Sequence, residues 1–497
     1  MAKSSARRFR RSAAQLHALA NVERTITAND SVARCRYLKD YTAAFQSYRS
    51  VLRPGEMDVH LRQADIVLVG DYHALSAAQA YAASILEKLA QGSRPVLFCV
   101  EAILARDQKI VDEWFLEEID SEELRERIRF DTDWGYDWRP YRELLERARK
   151  VTSGVYGLDC PPRSDLRTIA RRDRHAAAKL LELRRRHPDA VIVVLFGESH
   201  LAPNHLPSRL REQQPEARIF TVLQNVDALY WQAAGEAREN VGAVRVNDDV
   251  ICAFTSTPLE KYENYRLYIE QWQRERPNVP DLAPSFYNLI DTLCRFLNLS
   301  RGSMSVQSDN FPEVSCTRRS QGIRRRLQSA GLDSQEIAQV LAVLGLRGSC
   351  YVPAVNTVFA QRFTVPEAAE EAARFVHHAC QGEGRVKGSE SSSTEDEFYL
   401  RAIEQALAYL GSKILCPTRV VTCVADASVR MGQTLASRIY DAYVAGKVNK
   451  RFLRMLFCAP LYEPGAAREL YFDTVERLKL QRVQPPSGSG QHLQMVS

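Results

Sequence analysis

With 497 residues the chain is too long for one ordinary hydrophobic core, and two or three domains are expected. Its 45% hydrophobic and 26% charged residues are those of a soluble globular protein, and no apolar run approaches the roughly 18–20 residues a membrane-spanning helix needs. The net charge of +6 is small for this length. Its two basic clusters, Arg7-Arg8 with Arg10-Arg11 and Arg318-Arg319 with Arg324 to Arg326, have no aromatic platform beside them, so no nucleic-acid partner is expected.

The eleven cysteines are odd in number, scattered from Cys35 to Cys458, and never spaced C-x-x-C. That pattern argues for a reducing compartment rather than a disulfide framework or a structural zinc cluster. No apolar segment follows the N-terminal arginines, so a signal peptide is not expected and a cytoplasmic location is.

Residues 1–54 read as a basic tail and a helical lead-in, with Tyr41, Phe45, Tyr48 and Val51 spaced to share one face. Over 55–250, short β-branched runs alternate with charged helical segments. The strands are expected at Asp65–Val69, Pro95–Val100, Gly154–Leu158, Ala190–Phe196 and Arg218–Leu223, with Val241–Val246 as an edge. The intervening helices are expected at Ser76–Leu89, Asp107–Arg129, Tyr141–Lys150 and Leu166–Arg186. Apolar runs without alternation are expected of strands covered on both faces, so the fold class is α/β, a mostly parallel or mixed sheet with covering helices. Beyond Pro258 the strand signal fades. A mostly α-helical part follows, as helical regions 258–381 and 398–484 separated by a flexible Gly/Ser/acid-rich insertion at 382–397 and ended by a disordered tail at 485–497. Asp333, with Glu336 three residues on, predicts a capped amphipathic helix from Ser334.

Two motifs carry the chemistry. Ile66 to Val69 leads into Gly70-Asp71-Tyr72-His73, and Ile192 to Phe196 leads into Gly197-Glu198-Ser199-His200. A glycine at the end of a parallel strand lets the chain turn sharply, and ligands collect beyond such strand ends. A third apolar strand ends in Glu101 and a fourth at Asp159. His73, His200 and Glu101 together suit a divalent first-row metal (Mn, Co, Zn or Fe) that lowers the pKa of a bound water. Without a metal, one histidine can act as general base with a carboxylate orienting it. Glu198 is either an acid/base group or part of the turn, and His205 either adds to the site or sits on a loop surface. Tyr72 can ligate iron if haem binds. In the helical part, His377 and His378 with Glu367, Glu370 and Glu371 read as helix packing, since consecutive helical residues point about 100° apart.

These motifs resemble the ChaN-like branch of the Tiki/erythromycin-esterase superfamily, which includes the TraB-type proteins. The resemblance rests on the two Gly-x-x-His motifs, Glu101, the segment Trp134-Gly135-Tyr136-Asp137-Trp138-Arg139-Pro140-Tyr141, and Arg172-Asp173-Arg174-His175-Ala176, and it covers about 60–235. It implies an α/β fold with a site shared between two related halves. It also implies either a hydrolase, in some members a metal-dependent one, or the haem-binding uptake function associated with ChaN. On that model His73, Glu101 and His200 are metal or catalytic residues, and Arg172 braces a carboxylate or an oxyanion. Asp71 stands where the family often has Glu, and no lipoprotein signal precedes the domain. The leading expectation is a metal-assisted hydrolase of an ester or amide, acting on a small-molecule or peptide substrate. The alternatives are a non-catalytic haem or porphyrin binder and an interaction scaffold acting through the helical half.

Overall fold

The computed structural model describes residues 2–29, 36–53, 55–163, 169–235, 241–273, 281–299, 311–316, 320–381, 394–417, 419, 421 and 425–480. The expected insertion at 382–397 lies outside them as far as residue 393, as do Arg318 and Arg319 and the whole of the expected tail at 485–497. The chain divides into two compact units: Val22–Glu275, and Met1–Asn21 with Arg276–Ser497.

The Val22–Glu275 unit is built on an eight-stranded sheet. Its strands are β1 (Ser50–Val51), β2 (Ile66–Asp71), β3 (Val96–Leu104), β4 (Gly154–Asp159), β5 (Val191–Gly197), β6 (Ile219–Gln224), β7 (Ala243–Arg245) and β8 (Val250–Ala253), in the spatial order β1-β7-β8-β6-β2-β5-β3-β4. The six strands from β8 to β4 run parallel, while β7 is antiparallel to β8 and β1 to β7. The α/β reading therefore holds. The five strands expected ahead of the edge run each extend to or beyond their expected C-terminal residue, with Gly154–Asp159 itself at the edge of the sheet. The run expected as an edge shortens to Ala243–Arg245, lies between β8 and β1, and turns tightly into β8, a strand the sequence did not announce.

The inner strands are apolar throughout because each faces two cores. Val67, Val69, Phe98, Val100, Val193 and Leu195 pack on one side with Trp114, Trp138 and Tyr141. Ile66, Leu68, Leu97, Cys99, Ile192 and Val194 pack on the other with Ala177, Leu180 and Leu206. The single helix expected over Asp107–Arg129 is instead the pair Gln108–Phe115 and Ser121–Arg127. Glu117 at φ 63° breaks the run, and the Asp120 carboxylate restarts it by accepting from the Glu122 and Glu123 amides.

Two features place the site. From β2 the chain crosses past β5 to β3, whereas from β5 it crosses past β2 to β6, so adjacent β2 and β5 form the switch point where ligands bind in open α/β sheets. Their register sets Gly70 beside Phe196 and Asp71 beside Gly197, which brings the two Gly-x-x-His turns out side by side. On β3, the pairing with β4 jumps from Val100 opposite Gly157 to Leu104 opposite Asp159, a bulge that contains Glu101. Gly157 permits it: a Cβ there would lie 2.6 Å from the Leu104 carbonyl oxygen.

The other unit is mainly helical, with helices Ala283–Leu297, Ser320–Ser329, Ser334–Arg347, Val365–Gln381, Thr394–Leu415, Ala427–Val444, Lys450–Phe457 and Ala466–Arg477. Asp333 and Glu336 form the expected capping box. The mostly helical expectation holds, and a small sheet it did not announce, β9 (Glu313–Ser315), β10 (Ser349–Val352) and β11 (Thr357–Ala360), accompanies the helices. Its strands of three or four residues are too short to show a period. His377 gives its Nδ1 to the Phe457 carbonyl at 2.9 Å, while Glu370 pairs with Arg347 and Arg419. Among the described residues no helix is long and apolar enough to cross a membrane.

Candidate functional site

His73, Glu101, Arg172 and His200 converge on one cavity of about 580 Å³ beyond the ends of β2, β3 and β5. Tyr72 and Glu198 line it too, and the aromatic rings of Tyr41, Phe45, Tyr136, Tyr262 and Tyr265 wall it. The size is that of a small-molecule or cofactor pocket.

Each histidine is oriented by a buried carboxylate. The Asp71 carboxylate lies 2.9 Å from His73 Nδ1 and is fixed in turn by Tyr141, whose hydroxyl donates at 2.7 Å, and by Gln79. Asp173 lies 2.5 Å from His200 Nδ1. Both Nε2 atoms turn toward Glu101, His73 at 3.9 Å and His200 at 3.8 Å. The His73 side chain is 21% exposed and His200 4%, so His73 is the imidazole presented to the cavity. Trp134 and Tyr136 meet the His73 ring edge-on at 4.5 and 5.0 Å between centroids.

Glu101 is the electrostatic centre. Arg172 donates to one of its oxygens and the Gly197 amide to the other. The same guanidinium makes two 2.8 Å bonds to Asp159, which also accepts from Arg163 at 2.7 Å. Burial works to raise the Glu101 carboxyl, but Arg172, His73, His200 and the Gly197 amide outweigh it and hold the group down at about 2. Burial works to lower His73, and Asp71 with Glu101 prevails to raise it above the ordinary histidine value. Packing at Gly197 is tight, since a Cβ there would stand 3.1 Å from Glu101 Oε2 and 3.2 Å from His73 Nε2.

A second buried pair closes the other wall. Lys261, from the helix Pro258–Gln273, bonds Glu198 at 3.1 and 3.3 Å and sits 4.6 Å above the Tyr72 ring. Burial raises Glu198 against the pull of Lys261, and burial with the Glu198 charge lifts the Tyr72 phenol well above its usual range. His205 does not join the cavity: its nitrogens meet the Ser199 carbonyl at 2.8 Å and Asp40 at 3.1 Å. The sequence reading missed three kinds of group. Asp71 lies in the same motif as His73, Asp173 lies in a quoted motif 27 residues before its partner His200, and Lys261 and Tyr265 come from a helix that carries no motif.

His73, Glu101 and His200 meet but do not form a compact metal-ligand set. Glu101 gives its oxygens to Arg172 and Gly197, and a guanidinium beside the carboxylate opposes a divalent cation. Among the described residues no group of three His, Cys, Asp or Glu could hold a metal ion. A porphyrin asks for different features: a roomy aromatic-walled cavity and an imidazole on its lining. The cavity and His73 supply those. Tyr72 suits iron less well, because a raised phenol resists becoming the phenolate that ligates.

The fold and site define an α/β ligand pocket at strand ends, and one segment of the chain that contributes to it has a family match. Residues 59–192 match the family described as Haem-binding uptake, Tiki superfamily, ChaN, and the chain carries a ChaN domain over that segment. The resemblance read from the motifs is borne out there. The matched segment holds His73, Glu101 and Arg172 and ends before Gly197 and His200. A solved structure titled for cofacial heme binding to ChaN of Campylobacter jejuni is similar at 15% identity, covering 36% of this chain and 92% of its own, with a TM-score of 0.30. That likeness is too slight to argue from. No curated protein matches the chain.

Proposed function

We propose that the cavity binds haem or another porphyrin-class ligand, with the His73 imidazole facing it. The observation that carries this reading is the state of His73. Its Nδ1 is held by Asp71, its side chain lines an aromatic-walled cavity of about 580 Å³, and it lies inside the segment matched by a haem-binding family. A carboxylate on Nδ1 makes the opposite nitrogen a better donor to iron. Hemin titration of the full chain tests it. A Soret band that shifts and saturates in the wild type and weakens in His73→Ala is expected, and a featureless titration overturns the reading.

A second reading, metal-free hydrolysis of an ester or amide, is favoured by one specific observation. Two carboxylate-oriented histidines both direct Nε2 at Glu101 from less than 4 Å. In that chemistry neutral His73 takes a proton from water, and the Arg172–Glu101 pair keeps the neighbouring charge fixed. Ester and amide hydrolysis by chelator-treated protein, lost in His73→Ala and in His200→Ala, supports it. Inert protein across a range of acyl substrates removes it.

A further inference from the structure

The mainly helical unit brings two cysteines from separate helices together. Cys380 lies in the last turn of the helix Val365–Gln381, and Cys458 caps the C-terminal end of the helix Lys450–Phe457. Three hydrogen bonds clamp these ends on both sides of the pair. His377 Nδ1 meets the Phe457 carbonyl at 2.9 Å, Gln381 Nε2 donates to the Ala459 carbonyl at 2.9 Å, and the Leu461 amide donates to Gln381 Oε1 at 3.2 Å. That clamp sets the Cys380 and Cys458 side chains close enough to act on each other, with Arg454, one turn before Cys458, beside the same thiol. Both cysteines are partly exposed.

We propose that Cys380 and Cys458 form a redox-active dithiol, with Cys458 as the attacking thiolate and Cys380 as the resolving thiol, open to hydroperoxides. The partner thiol and the Arg454 guanidinium stabilise negative charge on Cys458, and against the pull of burial they bring it down to about 6. Buried Cys252 and Cys294 and half-buried Cys350 are pushed the other way, each to about 12. Cys458 is thus the thiol of the pair shifted toward the thiolate, the form that reacts.

The chemistry closes without a cofactor. The Cys458 thiolate attacks a peroxide oxygen, the S–O bond forms as the O–O bond breaks, and hydroxide leaves to take a proton from solvent. The Cys380 thiol then gives up its proton and attacks the Cys458 sulfur. The S–S bond forms, and the sulfenic oxygen leaves as water. Two electrons pass from the thiols to the peroxide, and a low-molecular-weight thiol restores the pair by exchange. The clamp already holds the two helix ends together, which favours closure with little backbone movement.

The test uses the full reduced chain with one equivalent of hydrogen peroxide, blocking of the remaining thiols, and digestion without reductant. A peptide linking Cys380 to Cys458 is expected in the wild type. In Cys380→Ser the Cys458 sulfenic acid lacks its resolving thiol, so dimedone labelling of Cys458 rises about tenfold or more over wild type. Before oxidation, alkylation of Cys458 rises with pH through about 6. Absence of the linked peptide, or equal dimedone labelling of Cys458 in wild type and Cys380→Ser, overturns the proposal.

Discussion

Arg172 holds Glu101 and Asp159 with one guanidinium, donating to Glu101 and making two 2.8 Å bonds to Asp159, all three side chains being buried. Removing it takes a shared cation from two buried carboxylates, leaving Asp159 to Arg163 and Glu101 to the Gly197 amide, so Arg172→Met is expected to cost about 3 kcal/mol. The associated pH dependence has a definite sign. Folding depresses Glu101 to about 2, so its contribution is complete above the ordinary carboxylate range and is lost as pH falls toward 2. Urea unfolding of wild type and variant at pH 7 and pH 3 measures both, and the gap between them narrows at the lower pH.

His73 owes its raised pKa to Asp71, and Asp71→Asn is expected to lower it. The neutral amide also ceases to favour one imidazole orientation, and a loss of about 10–100-fold in ligand affinity follows. Two-dimensional NMR of the imidazole through pH 5–9 reads the first effect, and hemin titration the second. If the site is hydrolytic, kcat/KM falls as pH drops through the His73 pKa, because a general base must be neutral. That limb moves to lower pH in Asp71→Asn.

Gly197→Ala separates folding from function. Its Cβ would press on Glu101 Oε2 at 3.1 Å and His73 Nε2 at 3.2 Å. A displaced imidazole is expected to reduce ligand binding about tenfold or more, for a stability cost on the order of 1–3 kcal/mol. Thermal unfolding and titration on the same sample check the split.

Lys261→Met leaves Glu198 buried without its partner, and its already raised carboxyl is expected to rise further. A raised carboxyl destabilises the fold as pH increases, since the unfolded chain ionises more readily. The variant is expected to lose about 3–5 kcal/mol at pH 8 and less at pH 5. Urea midpoints at the two values decide it.

The sheet was legible because each inner strand is a β-branched run with both faces buried, and a continuous apolar run needs no partner to be recognised. The β7–β8 turn and the three-stranded sheet at Glu313–Ser315 were not, because three- and four-residue strands carry too little pattern. Within the site, His73, Glu101 and His200 were readable from their places at strand ends. That Asp71 and Asp173 orient the imidazoles depends on side-chain directions that spacing does not give. Lys261 and Tyr265 reach the cavity from a helix that reads as ordinary amphipathic sequence. The occupation of Glu101 by Arg172 and the Gly197 amide was invisible for the same reason, and it is what turns an apparent metal-ligand trio into a charge-locked cluster.

The most direct test of the central claim compares hemin with metal-free protoporphyrin on wild type and His73→Ala, following the Soret band and quenching of tryptophan emission. The account predicts saturable binding of both ligands by the wild type. It also predicts a loss of about tenfold or more for hemin alone in His73→Ala, because only iron uses the imidazole. Failure of the wild type to bind either ligand would contradict it, and would leave the oriented histidines to acid–base chemistry.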